Sequence, residues 1–150
     1  MTELGRYNSG GSATASVLNA AGTIAYLADG ASNLAVVNVT TPAAPALLGT
    51  LNSAGSASGA ALSSDGTKLY LANGSNGLRI INVTTPTAPA LLGTYTTTGD
   101  ALAVVISADG TKAYVAASGQ GLVIVNITAP AAPVLLGTYN SAGTARGVKE

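Results

Sequence analysis

The sequence has neither cysteine nor histidine in its 150 residues, and these absences exclude several kinds of chemistry. Without cysteine the chain has no disulfide bonds and no thiolate metal ligands. Without histidine it lacks the usual imidazole ligand, the imidazole general base and a Ser/His nucleophile pair. We therefore predict no catalytic residues, no cofactor and no metal site, and we expect a protein that is not an enzyme.

Charged and aromatic residues are also scarce. Charged residues make up 8% of the chain, six of each sign, and the aromatic residues are six tyrosines. No basic surface is available to neutralise phosphates, so we expect no nucleic-acid partner. No apolar run approaches the roughly 18 residues of a membrane-spanning helix. The start, MTELGRYNSGG, also lacks the basic and apolar regions of a signal peptide.

One segment of thirteen residues occurs three times in the chain. It reads NVTTPAAPALLGT from Asn38, NVTTPTAPALLGT from Asn82 and NITAPAAPVLLGT from Asn126, a constant spacing of 44 residues. No insertion or deletion interrupts this period. A unit repeated at a fixed period predicts a repeat architecture in which each unit packs against its neighbours.

Each unit contains four short runs that are typical of β-strands. In the central unit they are SGAALS at 58–63, TKLYLA at 67–72, GLRIINV at 77–83 and ALLGTY at 90–95. The second run alternates, with Leu69 and Leu71 on one face and Tyr70 on the other. The third run is almost continuously apolar, which predicts a strand covered on both faces. Prolines separate the third and fourth runs and predict a stiff connection outside the sheet ladder.

Four antiparallel strands with two apolar faces indicate a β-propeller blade, which must stack against a blade on each side. A parallel β-helix is the main alternative, but its repeats are shorter and do not require four hairpin-spaced turns. The sequence therefore predicts an all-β fold in a single repeat domain over 1–150. We expect a partial strand at 2–7, blades at about 13–51, 57–95 and 101–139, and a partial strand at 145–150.

The run GLVIVNITAPAAPVLLGTYNSAG at 121–143 resembles the LVIVD repeat, a β-propeller repeat of bacterial and archaeal proteins, many of them surface-associated. The resemblance extends through all three copies. The chain departs from the family at Asn38, Asn82 and Asn126, where the family has aspartate, and this change argues against a cation site at that position. The resemblance implies a propeller fold, a binding or structural role, and a location at the cell surface or outside the cell.

Four asparagines match the Asn-x-Ser/Thr acceptor pattern for glycans, namely Asn38, Asn73, Asn82 and Asn126. Three of them occupy the same position of each repeat, at the end of a strand. An asparagine there commonly caps the following turn with its own side chain. We therefore interpret these three as turn residues rather than glycan acceptors.

Four aspartates are the remaining candidates for acid catalysis or calcium binding, namely Asp29, Asp65, Asp100 and Asp109. Each lies singly beside a glycine, which is typical of a turn. Calcium requires six to eight oxygen ligands, and no dense acidic loop supplies them. The glycine pairs at 8–11 and 118–121 resemble phosphate-binding loops, but no lysine and no helix follows, so they also predict turns.

Two functional hypotheses remain. The first is a structural, self-assembling propeller module, of natural or engineered origin, supported by gapless repetition without catalytic motifs. The second is part of a bacterial or archaeal surface protein that binds a glycan or a protein through its loops. Loop binding predicts exposed aromatic residues in the loops. Most of the tyrosines instead occupy equivalent strand positions, which favours the first hypothesis.

Three blades are fewer than the 4–8 blades typical of a closed propeller. Both end faces of such a row would be apolar and open to solvent. We therefore expect a homo-oligomer, with a ring-forming dimer of six or seven blades favoured and an open filament second. Charged residues at both ends would pair across the junction or protect a strand edge. They are Glu3, Arg6, Arg146, Lys149 and Glu150.

Overall fold

The structure is a computed structural model, and it describes residues 2–30 and 33–149. The regular elements of these residues are twelve β-strands. They are β1 (Ala13–Leu18), β2 (Ile24–Asp29), β3 (Asn33–Asn38), β4 (Ala46–Asn52), β5 (Gly59–Leu62), β6 (Lys68–Ala72), β7 (Leu78–Asn82), β8 (Ala90–Tyr95), β9 (Ala101–Ile106), β10 (Lys112–Ala117), β11 (Gly121–Asn126) and β12 (Val134–Tyr139).

The strands form three sheets of four antiparallel strands, each in simple chain order: β1–β2–β3–β4, β5–β6–β7–β8 and β9–β10–β11–β12. These sheets are blades 1, 2 and 3 below. In every blade the pairing of the third and fourth strands shifts by one residue at the same repeat position, as at Ile80/Ile81 in blade 2. The predicted all-β fold with four antiparallel strands per repeat is confirmed.

The turn between the first and second strands is closed by an aspartate in blades 2 and 3. In blade 2 the Ser63 hydroxyl donates to Asp65 Oδ1 at 2.5 Å, and the Thr67 amide donates to the same oxygen at 3.0 Å. Asp109 makes the equivalent bonds in blade 3. Hydrogen bonds from the serine and threonine favour the ionised carboxylate and lower the pKa of both aspartates.

The turn after the third strand is closed by the repeated asparagine. Asn82 Oδ1 accepts from the Thr84 amide at 2.9 Å and from the Thr84 hydroxyl at 2.7 Å. Asn38 and Asn126 also accept from the amide two residues ahead, each at 2.9 Å. These bonds are the turn-capping role expected from the sequence.

The blades stack in a row with their first strands together. β5 contacts β1 on one side and β9 on the other, so the first strands form the inner edge of the row. Two aliphatic cores fill the junctions between blades. Leu34 and Val36 of blade 1 meet Leu69 and Ile81 in the first junction. The second junction has the same construction and contains Tyr70, Leu78, Ile80, Val115, Val123 and Val125.

The prediction that the third strand is covered on both faces holds at the centres of β3 and β7 but is wrong for β11. In β3 four successive residues, 34–37, are buried. In β11 buried and half-buried residues alternate, and Ile124 is half-buried. The reason is positional, because among the described residues no further blade covers the outer face of blade 3.

The two terminal segments are not strands. Residues 2–7 and 145–149 are irregular in the structure, whereas the sequence analysis expected partial strands at 2–7 and 145–150. Glu150 lies outside the described residues. A strand requires a neighbour along its edge, and these segments instead lie against the faces of blades 1 and 3.

Candidate assembly faces

A glycine in the fourth strand sets how closely each blade approaches the next. A methyl group at Gly49 would lie 2.7 Å from the Pro86 carbonyl oxygen, in the turn between the third and fourth strands of blade 2. A methyl group at Gly93 would collide with the Pro130 carbonyl oxygen in the same turn of blade 3. Only glycine permits this approach of backbone to backbone.

The same contact recurs on the face of blade 1 that points away from blade 2, which we call the leading face. A methyl group at Gly5 would overlap the Pro42 carbonyl oxygen and lie 2.9 Å from Ala43. Two residues later, Tyr7 packs against the buried leading-face core of blade 1. Gly5 precedes Gly49 by one repeat, so residues 2–7, the N-terminal cap, occupy the place of a fourth strand from a preceding blade.

The N-terminal cap covers the leading face incompletely. Leu27 and Val39 are only half-buried beneath it, whereas their counterparts in blade 2, Leu71 and Val83, are 0% and 2% exposed. A cavity of about 510 Å³ remains between the cap and blade 1, with mainly apolar walls. An ion pair within the cap, between Arg6 Nε and Glu3 Oε1 at 3.1 Å, is exposed and therefore adds little stability.

The trailing face is the opposite end of the row, on blade 3. Tyr139 is 70% exposed and Leu136 is 53% exposed, whereas their counterparts Tyr95 and Leu92 are half-buried against blade 3. Gly137 has open space around it, with nothing within 4 Å of the position of a side chain. Much of the exposed aliphatic surface of the described residues is thus concentrated on β12.

The C-terminal segment lies on the inner part of the trailing face. Val148 and Lys149 lie beside Val105 and Tyr114 and enclose a cavity of about 220 Å³. Val148 is one repeat after Val104, which is buried in the second junction. Residues 145–149, the C-terminal cap, therefore take the place of the first strand of a following blade.

The candidate aspartates do not converge on one site. Asp65 and Asp109 close turns of different blades, and Asp100 is exposed. Asp29 is 4% exposed and accepts a hydrogen bond from the Ser9 hydroxyl at 3.1 Å. Across residues 2–30 and 33–149, no three potential metal ligands lie together. The same stretches contain no helix long and apolar enough to span a membrane.

The two glycine-rich segments form turns, as expected. Gly10 has a φ of 76° and its amide donates to Asn8 Oδ1 at 3.0 Å. Gly119 lies in the turn between β10 and β11, and Gly121 is the first residue of β11; their φ values are 74° and 83°. Left-handed backbone of this kind explains the glycines without a bound phosphate.

Asn73 differs from the other asparagines because it is fully buried. Its side-chain nitrogen donates to the carbonyl oxygens of Ser53 at 2.7 Å and of Ala54 at 3.1 Å. Its Oδ1 accepts from the Ser53 hydroxyl at 3.2 Å. This network joins the end of β4 to blade 2. One signal for it is visible in the sequence, because the polar residue Asp29 occupies the equivalent position in blade 1. In the structure Asp29 is buried as well.

Sequence reasoning also missed Arg79, the charged residue at the centre of β7. It pairs across the sheet with Leu71 and therefore lies on the side of blade 2 that faces blade 1. Its Nε is buried, and no acceptor lies within reach among the parts of the chain that the structure describes. The other two repeats have alanine and valine at this position.

Comparison with known proteins identifies the repeat. The family model described as the LVIVD repeat matches residues 12–53, 54–97 and 98–141. Together these matches cover most of the chain. None of the curated protein sequences matches it.

Several solved structures share the fold. Hydrazine synthase from Kuenenia stuttgartiensis is similar with a TM-score of 0.77 and 16% identity, over 94% of this chain and 41% of that chain. The β-propeller domain of Cps50 (Swd1) from Myceliophteria thermophila gives 0.71 and 15%, over 87% and 42%. A candidate 6-phosphogluconolactonase from Bacteroides fragilis gives 0.72 and 18%, over 84% and 38%.

The identities to these structures are low, so the similarities show the propeller fold alone. This chain spans less than half the length of each of the three proteins. Three stacked blades therefore correspond to a part of the propeller-containing chains that they resemble.

Proposed function

Because the chain belongs to the LVIVD repeat family, we propose that it is a structural, self-assembling β-propeller module without catalytic activity. The observation that carries this proposal is the pair of incompletely covered blade faces at the two ends of the row. Each face has the construction of an inner blade junction, but only a short terminal segment covers it.

The residues available for chemistry support a non-catalytic role. Catalysis by paired carboxylates requires two acids that converge in a cleft, and the aspartates of the described residues lie in separate turns. The largest cavity described above is lined mainly by aliphatic side chains beneath the N-terminal cap. One fold supports many unrelated activities, so similarity to a candidate lactonase at 18% identity does not assign its reaction to this chain.

The tyrosines favour assembly over recognition through loops. Five of the six lie in strands, and the sixth, Tyr7, lies in the N-terminal cap. Aromatic side chains commonly dominate the binding energy at protein interfaces. Here the described loops between strands carry none, whereas the trailing face presents Tyr139 with 70% of its surface exposed.

Assembly by blade stacking has a defined stoichiometry. A trailing face and a leading face are complementary, so two copies related by a two-fold axis would make two identical junctions and close a ring of six blades. Six lies within the usual range of 4–8 blades. If the rotation at each junction did not close, the same contact would extend into a filament.

Light scattering coupled to size exclusion at micromolar concentration tests the assembly. We expect a discrete particle of twice the 14.4 kDa chain mass. A mass that grows with concentration would indicate the filament, and a stable 14.4 kDa monomer would refute self-assembly.

The non-catalytic part of the proposal is tested separately with 6-phosphogluconolactone and a panel of lactone and ester substrates. Turnover by the purified chain would contradict it.

A further inference from the structure

The structure points to a specific junction: we propose that β12 of one copy docks on the leading face of blade 1 of a second copy and displaces that copy's N-terminal cap. This inference rests on the self-assembly proposed above and specifies its interface. The occupant of the leading face is thus a second copy of the same chain, and the N-terminal cap is a competing internal ligand for that face.

The first support is the equivalence of the cap and β12. The cap reads TELGRY at 2–7 and β12 reads VLLGTY at 134–139, three repeats later. Both have leucine, glycine and tyrosine at the positions that contact the next blade. The glycine of the cap already lies on the Pro42 turn, as those of β4 and β8 lie on the turns of the following blades. Two segments cannot occupy the same place, so docking of β12 requires the cap to leave.

The second support is that β12 is the better occupant. The residue types that face the junction are the same in the two segments, so the difference lies in how each segment is held. β12 is an ordered strand that pairs with β11, so it arrives with a complete blade behind it. The cap is irregular and leaves a cavity of about 510 Å³ above Leu27 and Val39. Filling such a cavity with apolar side chains favours the exchange.

The same junction displaces the C-terminal cap of the first copy. At the inner junctions the first strand of each blade packs on the blade before it, as Val104 packs on Tyr70. In the docked pair, β1 of the second copy would take the place held by Val148 beside Tyr114. Each junction therefore exchanges two short caps for one full contact between blades.

The variant Gly137→Val tests the junction without disturbing the fold of the chain. In the free chain nothing lies within 4 Å of a side chain at Gly137, and its φ is not in the left-handed region, so a valine fits the strand. In the docked pair the valine would collide with the partner copy's Pro42 turn, as a side chain at Gly93 would collide with Pro130. We expect an unchanged far-ultraviolet circular dichroism spectrum and a rise of about a hundredfold or more in the dimer Kd.

Thr138→Val is the matched control. Thr138 is exposed on the same strand but pairs with Val123, on the opposite face of the sheet from Gly137. We expect this variant to keep the wild-type dimer Kd. An equal loss of assembly in Thr138→Val and Gly137→Val would contradict a junction through the glycine face.

Gly5→Val tests the competition directly. A side chain at Gly5 overlaps the Pro42 carbonyl oxygen, so this variant should release the cap and lower the dimer Kd, by about tenfold. If Gly5→Val instead abolished the dimer, the cap itself would be the docking strand and the inference would be wrong. If the Gly137→Val chain dimerises with the wild-type Kd, this junction is refuted but self-assembly stands. If the wild-type chain is monomeric, self-assembly itself is refuted.

Discussion

Ile80→Asp introduces a carboxylate at the centre of the second blade junction. Ile80 is 0% exposed and belongs to the aliphatic cluster that includes Leu78, Val123 and Val125. The members of this cluster are hydrophobic side chains, which offer no counter-charge to an introduced carboxylate. The substitution therefore removes a buried aliphatic side chain and places an unpaired charge among aliphatic groups.

The two effects together exceed what a domain of this size normally tolerates. Truncating a buried isoleucine costs about 2–5 kcal/mol, and burying an uncompensated charge costs several kcal/mol more. The total stability of a typical domain is about 5–15 kcal/mol. We expect Ile80→Asp to abolish the cooperative unfolding transition, whereas Ile80→Val should cost about 1 kcal/mol. Urea unfolding followed by circular dichroism at neutral pH measures both.

Ile124 is the equivalent residue of blade 3 and provides the contrast. The sequence predicts the same outcome for Ile80→Asp and Ile124→Asp, but Ile124 is half-buried on the trailing face. A carboxylate there keeps part of its hydration, so we expect a folded chain with a smaller loss of stability and no dimer. A wild-type urea midpoint for Ile80→Asp would refute the burial argument. Equal destabilisation of the two variants as monomers would refute the asymmetry between the faces.

Two further predictions concern pH and metal ions. The folded-state pKa values of Asp65 and Asp109 lie below the ordinary value of 3.8, so both carboxylates stabilise the fold above that pH and lose this contribution progressively as the pH falls from 3.8 towards the lower folded-state pKa. The urea midpoint should decrease below about pH 4, less steeply in an Asp65→Asn/Asp109→Asn chain, and equal slopes would contradict this assignment. Calcium and zinc at micromolar concentration should leave the melting temperature unchanged, and a rise of several degrees that a chelator reverses would overturn this expectation.

The repeat architecture was predictable because its determinants are local. The constant spacing of 44 residues, the Asp-Gly turns and the proline-bounded fourth strand are visible in the sequence and need no knowledge of distant contacts. The alternation around Tyr70 gave the correct faces of β6, since Leu69 and Leu71 lie in the first junction and Tyr70 lies in the second.

The burial of residues on the outer faces of blades 1 and 3 could not be predicted from the repeat pattern. Ile80 and Ile124 occupy the same position of the repeat, but a following blade covers Ile80 and not Ile124, so one is buried and the other half-buried. The irregular conformation of the terminal caps also depends on which neighbouring strands are present. Residues 2–7 match a fourth strand in sequence, but each third strand of the described residues is already paired with the fourth strand of its own blade.

Buried polar groups at the junctions were also invisible to the repeat comparison. Asn73 matches a glycan acceptor pattern, yet its side-chain nitrogen is used to hold the end of β4 against blade 2. Arg79 replaces an apolar residue of the other repeats and lies on the side of its strand that faces blade 1. Such roles depend on which backbone groups a neighbouring blade brings close, and this geometry is set by stacking.

Gly137 shows how stacking explains a residue that the isolated chain does not. Glycine in the interior of a strand weakens it, because the unfolded chain is more flexible and no side chain packs. At Gly49 and Gly93 this cost is offset by close approach of the next blade, whose proline turn leaves no room for a side chain. At Gly137 the described residues leave ample room for a side chain, so their packing does not require glycine. A second copy would supply the missing turn through its own Pro42, and glycine at this position would then have the same physical use in all three blades.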